Sequence, residues 1–144
     1  MESIEKSFMI EGTDLTRVDG ESCIPTGLYY DDKGAHIGQR ALQMMGDNKI
    51  VNLNFKVQLG EYVLGATRDK IDYFECADGT ARSAYQLTKD FFDGILSNIE
   101  EQGIIPKGDK NGLKILVAEP LSFQIEEKGH IWIKNYRDNI KRIL

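Results

Sequence analysis

The chain lacks the features that mark secreted, membrane-spanning and disulfide-stabilised proteins. Its first residues form no apolar leader, and no apolar run among the 144 residues is long enough to cross a bilayer. Two cysteines are present, Cys23 and Cys76, and without a secretion signal they are expected to be reduced structural thiols. These absences predict a soluble, cytoplasmic protein without a membrane partner.

Basic residues are outnumbered by acidic ones. The net charge is −5, which argues against a nucleic-acid interface because such an interface needs concentrated Lys and Arg. Arg137, Lys141 and Arg142 do lie close together near the end of the chain. They fall in the last turns of a predicted helix, where cations interact favourably with the helix dipole. Nucleic acid is therefore not an expected partner.

The residue patterns of common catalytic sites are also missing. The two cysteines and two histidines (Cys23, His36, Cys76 and His130) are scattered, without the paired spacing of a structural zinc site. No G-x-S-x-G, P-loop or G-x-G-x-x-G motif occurs. The sequence therefore predicts no metal site, and it gives least support to a small, self-contained enzyme.

The patterns that are present indicate an α+β (or α/β) fold. A content of 41% hydrophobic and 28% charged residues is typical of one globular domain. Apolar periodicity and turn residues predict a hairpin from 7–10 and 13–18, strands at 23–30, 71–76 and 113–118, and helices at 36–45, 49–59, 83–101 and 131–144. The strand at 113–118 is almost continuously apolar, so we expect it to lie in one sheet with 23–30. The pattern at 49–59 is the weakest, because it also fits strand alternation.

Three local signals refine these boundaries. Pro25 cannot donate to a strand ladder, so the strand lies at an edge there or begins only after it. Gly46 stands where a left-handed residue would end the helix 36–45. Ser83 and Gln86 have the spacing of a capping box at the start of the helix 83–101.

Four segments between residues 23 and 60 occur in the order and spacing of a known family. They are the strand C-I-P-T-G-L-Y-Y from Cys23, the turn D-K-G from Asp32, the I-G-x-x-A pattern from Ile37 and the F-K-x-x-L-G pattern from Phe55. Together they resemble the ATPase domain of Hsp70 chaperones, which belongs to the actin-like ATPases. The resemblance covers about residues 6 to 125.

This resemblance implies a division of the chain. Residues 1–32 and 103–144 would be pieces of the inner, ribonuclease H-like subdomain of the first ATPase lobe. Residues 33–102 would form its small outer α+β subdomain.

The resemblance also implies two functional residues, with ATP and Mg²⁺ as cofactors of the complete protein. Lys56 falls on the family's lysine that reaches the γ-phosphate and the attacking water, although Val57 stands where the family has arginine. Pro120 falls on a proline that relays the nucleotide state. Without the resemblance, Lys56 would be interpreted as a surface lysine whose stem covers apolar neighbours, and Pro120 as a strand terminator.

Asp78, Gly79 and Thr80 loosely match the D-x-G-T phosphate hairpin of the same superfamily. We interpret them as a turn followed by a helix N-cap, because turns and caps favour these residue types. On this interpretation the turn leads directly into the helix 83–101, whereas a phosphate hairpin leads into another strand.

Neither the D-x-G-T hairpin nor the D-x-G-G-G-T loop of the family occurs in the sequence. The resemblance therefore implies a fragment of an ATP-dependent chaperone, unable to bind or hydrolyse ATP alone. Its partners would be the protein clients or co-chaperones of the complete protein, and the fragment would self-associate through the apolar edge at 113–118. The alternative hypothesis is a non-enzymatic α+β module that binds a protein through a helix or a sheet edge.

Overall fold

The computed structural model describes residues 24–63, 65–103, 105, 108, 115 and 129–144. It combines helices and strands, which confirms the α+β prediction at that level. Several predictions lie outside the described residues: the hairpin at 7–18, Cys23, Pro120 and, except for Ile115, the strand at 113–118. Ile115 is described and does not lie in a strand, so the strand prediction is wrong at that residue.

The described residues form five strands, four α-helices and two short 3₁₀ segments. The strands are β1 (Gly27–Asp31), β2 (Gly34–Ile37), β3 (Asn52–Leu53), β4 (Tyr73–Glu75) and β5 (Ala81–Ser83). The helices are α1 (Gly38–Gln43), α2 (Phe55–Glu61), α3 (Ala84–Glu101) and α4 (Gly129–Ile143), and the 3₁₀ segments are Met44–Asp47 and Arg68–Lys70.

The central sheet is antiparallel, in the order β2–β1–β3. Leu28 lies opposite Ile37 on one side and opposite Asn52 on the other. Gly34 has a φ of +118°, which a glycine adopts readily in the tight turn between β1 and β2. β1 begins two residues after Pro25, as that proline predicted. The proposed subdomain boundary at residue 32 falls within this turn, and the division of the chain stays a prediction.

The predicted helix at 36–45 begins too early. His36 and Ile37 belong to β2, where pairing with β1 satisfies their backbone groups, and α1 begins at Gly38, whose φ of +66° ends the strand. Gly46 does not hold the left-handed position. Asn48 holds it instead, with a φ of 56°, after a 3₁₀ turn that extends the helical segment.

The weakly predicted helix at 49–59 is divided into two elements. Asn52 and Leu53 form β3 because they pair with β1, so the helix prediction is wrong there. α2 follows from Phe55. Asn54 separates the two elements with a φ of 58°, a left-handed conformation that asparagine tolerates better than most residues.

β4 and β5 form a second, two-stranded antiparallel sheet. The turn between them has Gly79 at a φ of +81°, and the Thr80 N–H donates to Asp78 Oδ1 at 3.1 Å. The prediction that this turn leads directly into the helix is therefore wrong, because β5 intervenes. The predicted cap is confirmed: the Gln86 N–H donates to Ser83 Oγ, and the Ser83 N–H donates to Gln86 Oε1.

The core lies between the central sheet, α2, α3 and α4. Helix α3 supplies the predicted apolar stripe, in which Leu87, Phe91, Ile95 and Ile99 are all buried. Helix α4 adds Tyr136 and Ile140 and packs against α2 and α3. Its basic residues Lys141 and Arg142 lie in the last turn, as predicted.

Candidate functional site

Lys56 lies in the first turn of α2, half-buried. Its neighbour Phe55 is 1% exposed and meets the ring of Phe91 in α3 edge to face, with the ring centroids 6.3 Å apart. The packing of Phe55 fixes the start of the helix against the core. The backbone that carries Lys56 is therefore anchored rather than part of a free loop.

The C-terminal end of α2 is held by two asparagines of α4. Asn139 Nδ2 donates to the carbonyl oxygens of Leu59 (2.9 Å) and Tyr62 (3.0 Å), and Asn135 Nδ2 donates to that of Gly60 (3.1 Å). The last carbonyls of a helix have no partner within it, and these amides satisfy them from a distant part of the chain. Helix α2 is thus fastened at both ends.

A second group of polar side chains joins β1, the hairpin β4–β5 and α3. Arg82 makes a bidentate ion pair with Asp78, with N–O distances of 2.9 and 2.8 Å, and its guanidinium carbon lies 3.7 Å from the ring centre of Tyr30. The Tyr30 hydroxyl donates to Asp90 Oδ2 at 2.7 Å. The buried Cys76 thiol lies beside them. We call these five residues the Arg82 cluster.

The charges of the Arg82 cluster stabilise one another. The Arg82 guanidinium lowers the pKa of Asp78 from 3.8 to about 2, and Asp78 in turn raises the pKa of Arg82. Burial, together with the hydrogen bond to Asp90, raises the pKa of Tyr30 far above its usual value. Burial also raises the pKa of the Cys76 thiol, although Arg82 acts in the opposite direction. Asp78 and Arg82 keep their opposite charges near neutral pH, and the contacts of Arg82 and Tyr30 join the hairpin β4–β5 to β1 and α3.

An open cleft of about 370 Å³ lies between β2, α1 and α3. Ala35, His36, Ile37 and Arg40 line one side, and Asp90, Asp93, Gly94, Ser97, Asn98 and Glu101 line the other. His36 is held in place by Asp31, whose Oδ2 lies 2.9 Å from Nε2, and by stacking on Tyr29. The His36 side chain beside it lowers the pKa of Asp31. Lys56 is not among the residues that line this cleft.

The sequence predicted two site residues, Lys56 and Pro120. Lys56 lies on α2 and does not line the cleft, and Pro120 is outside the described residues. In the part of the chain that is described, no three His, Cys, Asp or Glu side chains are grouped so that they could hold a metal ion. No helix in that part is long and apolar enough to cross a membrane.

Sequence reasoning missed the Arg82 cluster and the two asparagines of α4. One signal for the cluster is in the sequence. Asp78 begins a D-G turn and Arg82 follows it, and a hairpin there places their side chains within reach of each other. No local signal marks Asn139, since its partners lie 77 and 80 residues away.

No protein-family model matches the chain, and no curated protein or solved structure is significantly similar to it. The Hsp70 resemblance rests on the residue patterns alone.

Proposed function

We propose that these residues work as part of the first lobe of an Hsp70-like ATPase, in which Lys56 stabilises the transferring γ-phosphoryl group of ATP. The observation that carries the proposal is the place of Lys56. It lies in the first turn of a short helix anchored by Phe55 and Asn139. A lysine that acts on a transition state must be held in one position, and this backbone is held.

The chemistry required of Lys56 is electrostatic. Negative charge on the phosphoryl oxygens changes as the bond to the leaving group breaks, and a compact ammonium group placed beside them lowers the barrier. In such an ATPase, Mg²⁺ bound with the nucleotide would help neutralise the charge of the phosphates. Among the described residues, no three His, Cys, Asp or Glu side chains are grouped so that they could hold it.

The remainder of the active site would come from the phosphate loops, which do not occur in these 144 residues. The proposal therefore assigns ATP hydrolysis to the two-lobed protein, with protein clients or co-chaperones as its partners. The order of the elements supports this assignment. The hairpin β1–β2, the G-x-x-A helix α1 and the lysine helix α2 follow one another as the resemblance implies.

The test is the substitution Lys56→Ala in the two-lobed ATPase that contains this chain. We expect turnover of Mg-ATP to fall by a factor on the order of 10² or more with nucleotide affinity largely intact, because a charge directed at the transition state acts on rate rather than on ground-state binding. Lys49→Ala and Lys70→Ala are matched controls in the same region but outside the motif. Turnover equal to that of the unchanged protein would make Lys56 a surface lysine and would remove the basis of the proposal.

The alternative function is a non-enzymatic protein-interaction module. The cleft beside α3 favours it, because a concave surface with acidic groups on one side suits a basic peptide segment. If the module hypothesis is correct, Glu101→Lys should abolish partner binding and leave any ATP turnover unchanged. If the ATPase proposal is correct, Lys56→Ala should lower ATP turnover and leave partner binding unchanged.

A further inference from the structure

Asn139 is the most deeply buried polar residue of α4, with 1% of its surface exposed. A buried amide costs free energy unless its hydrogen-bonding groups are satisfied. Both N–H groups of Asn139 are used, toward Leu59 and Tyr62, and its Oδ1 lies 3.3 Å from Arg142 Nη1. These partners fix the orientation of the amide. Its nitrogen must face the two backbone carbonyls, which accept, and its oxygen must face the guanidinium, which donates.

The amide of Asn139 acts on a very small element. Helix α2 has seven residues and no side-chain bond at its N-cap, so packing of Phe55 holds its first turn and the α4 amides hold its last. Helices this short have little stability of their own. These two attachments, together with the buried side chain of Leu59, hold α2 against the core.

We infer that Asn139, assisted by Asn135, is a positioning residue for Lys56. The inference rests on the proposed function of Lys56. It adds a role for Asn139 in α4, about 80 positions further along the chain. Asn139 makes no contact with nucleotide in this scheme. It holds the C-terminal end of α2 so that the first turn presents the ammonium group in one direction.

The first measurement uses the 144-residue chain alone and follows amide hydrogen exchange. In Asn139→Leu, a substitution of similar volume that removes both donors, we expect the amides of residues 59–62 to exchange at least about tenfold faster. The amides in the middle of α3 should keep their protection. Asn98→Leu is the matched control, because Asn98 accepts a hydrogen bond from Gln102 near the end of its own helix. Unchanged exchange at 59–62 would overturn the inference.

The second measurement is a double-mutant cycle on ATP turnover in the two-lobed protein. Asn139→Leu should lower kcat by roughly 10- to 10²-fold, since small misplacements of a catalytic group cost this much, with KM for ATP nearly unchanged. In the Lys56→Ala background the same substitution should have less than about a twofold effect, because residues that act through one another are not additive. If the double variant instead loses kcat by the product of the two single-variant factors, Asn139 acts through a general effect on stability and the inference is overturned.

Three further outcomes bear on this inference, and the last two separate it from the proposed function. If Asn139→Leu fails to fold, Asn135→Leu removes only the bond to Gly60 and should give the same pattern at smaller amplitude. If Lys56→Ala leaves turnover unchanged, the proposed function fails and the positioning role fails with it, even where exchange at 59–62 is raised. If Lys56→Ala abolishes turnover but Asn139→Leu and Asn135→Leu leave it intact, the positioning role alone is wrong.

Discussion

Arg82 shows how one side chain can join three parts of a fold. It binds Asp78 within its own hairpin, lies over the ring of Tyr30 in β1, and comes within 4.0 Å of Asp90 in α3. An arginine suits this place better than a lysine, because its planar group pairs with a carboxylate in two bonds and still stacks on an aromatic face. The interactions link the two sheets to the long helix.

The Asp78–Arg82 pair predicts a specific loss of stability in acid. The pKa of Asp78 is 3.8 when unperturbed and about 2 in the folded protein. The contribution is therefore complete above about pH 4 and is lost as the pH falls toward 2, because the unfolded chain binds the proton more tightly. Asp78→Asn should remove this part of the pH dependence, as measured by denaturant unfolding between pH 2 and 5.

Arg82→Met provides the control for that experiment. It removes the guanidinium that lowers the pKa of Asp78, so the free energy of unfolding should depend less on pH between 2 and 5. The double variant should show little further change. A wild-type pH dependence in Asp78→Asn would show that the pair contributes no measurable stability.

At the scale of elements, the packing of α3 against β2 depends on a residue without a side chain. A Cβ at Gly94 would lie 2.9 Å from Ile37 Cγ2, closer than Cβ contacts normally come. Glycine in a helix interior costs about 1 kcal/mol relative to alanine. The close approach to the sheet explains why glycine is nevertheless accommodated at this position.

Gly94→Ala tests which effect is larger. The gain in helix propensity is about 1 kcal/mol, whereas overpacking of a well-packed contact costs typically about 1–3 kcal/mol. We expect a net destabilisation of roughly 1 kcal/mol in chemical denaturation. Ser97→Ala, on an exposed position of the same helix, should be neutral or slightly stabilising. A stabilised Gly94→Ala would show that α3 can move away from Ile37 without cost.

At the scale of the whole molecule, the chain is expected to self-associate. The predicted strand at 113–118 is apolar, its Ile115 is 38% exposed, and exposed apolar edges recruit other chains. Light scattering should show a dimer or a larger species. Ile115→Lys should shift it toward the monomer, whereas Ile50→Lys, at a residue of similar exposure (41%), should not. A clean monomer of the unchanged chain at high concentration would count against both the edge and the fragment hypothesis.

The sequence determined what depends on neighbours a few positions apart. The Ser83–Gln86 cap and the stripe of Leu87, Phe91 and Ile95 both lie within one helix, and a helix brings residues three or four apart together whatever surrounds it. The turn at Gly79 is local for the same reason. These features, with the mixed α and β composition, were predicted correctly.

Tertiary structure decided what depends on distant partners. His36 and Ile37 fit a helical pattern but form a strand, because Leu28 and Tyr29 offer backbone partners that outweigh a weak local preference. Asn139 could be assigned to a helix from the sequence, but not to the end of α2, since no periodicity records a contact between residues 80 positions apart. The sequence alone therefore identified Lys56 as a candidate, and only the packing of α4 against α2 decided how the helix that carries this lysine is held.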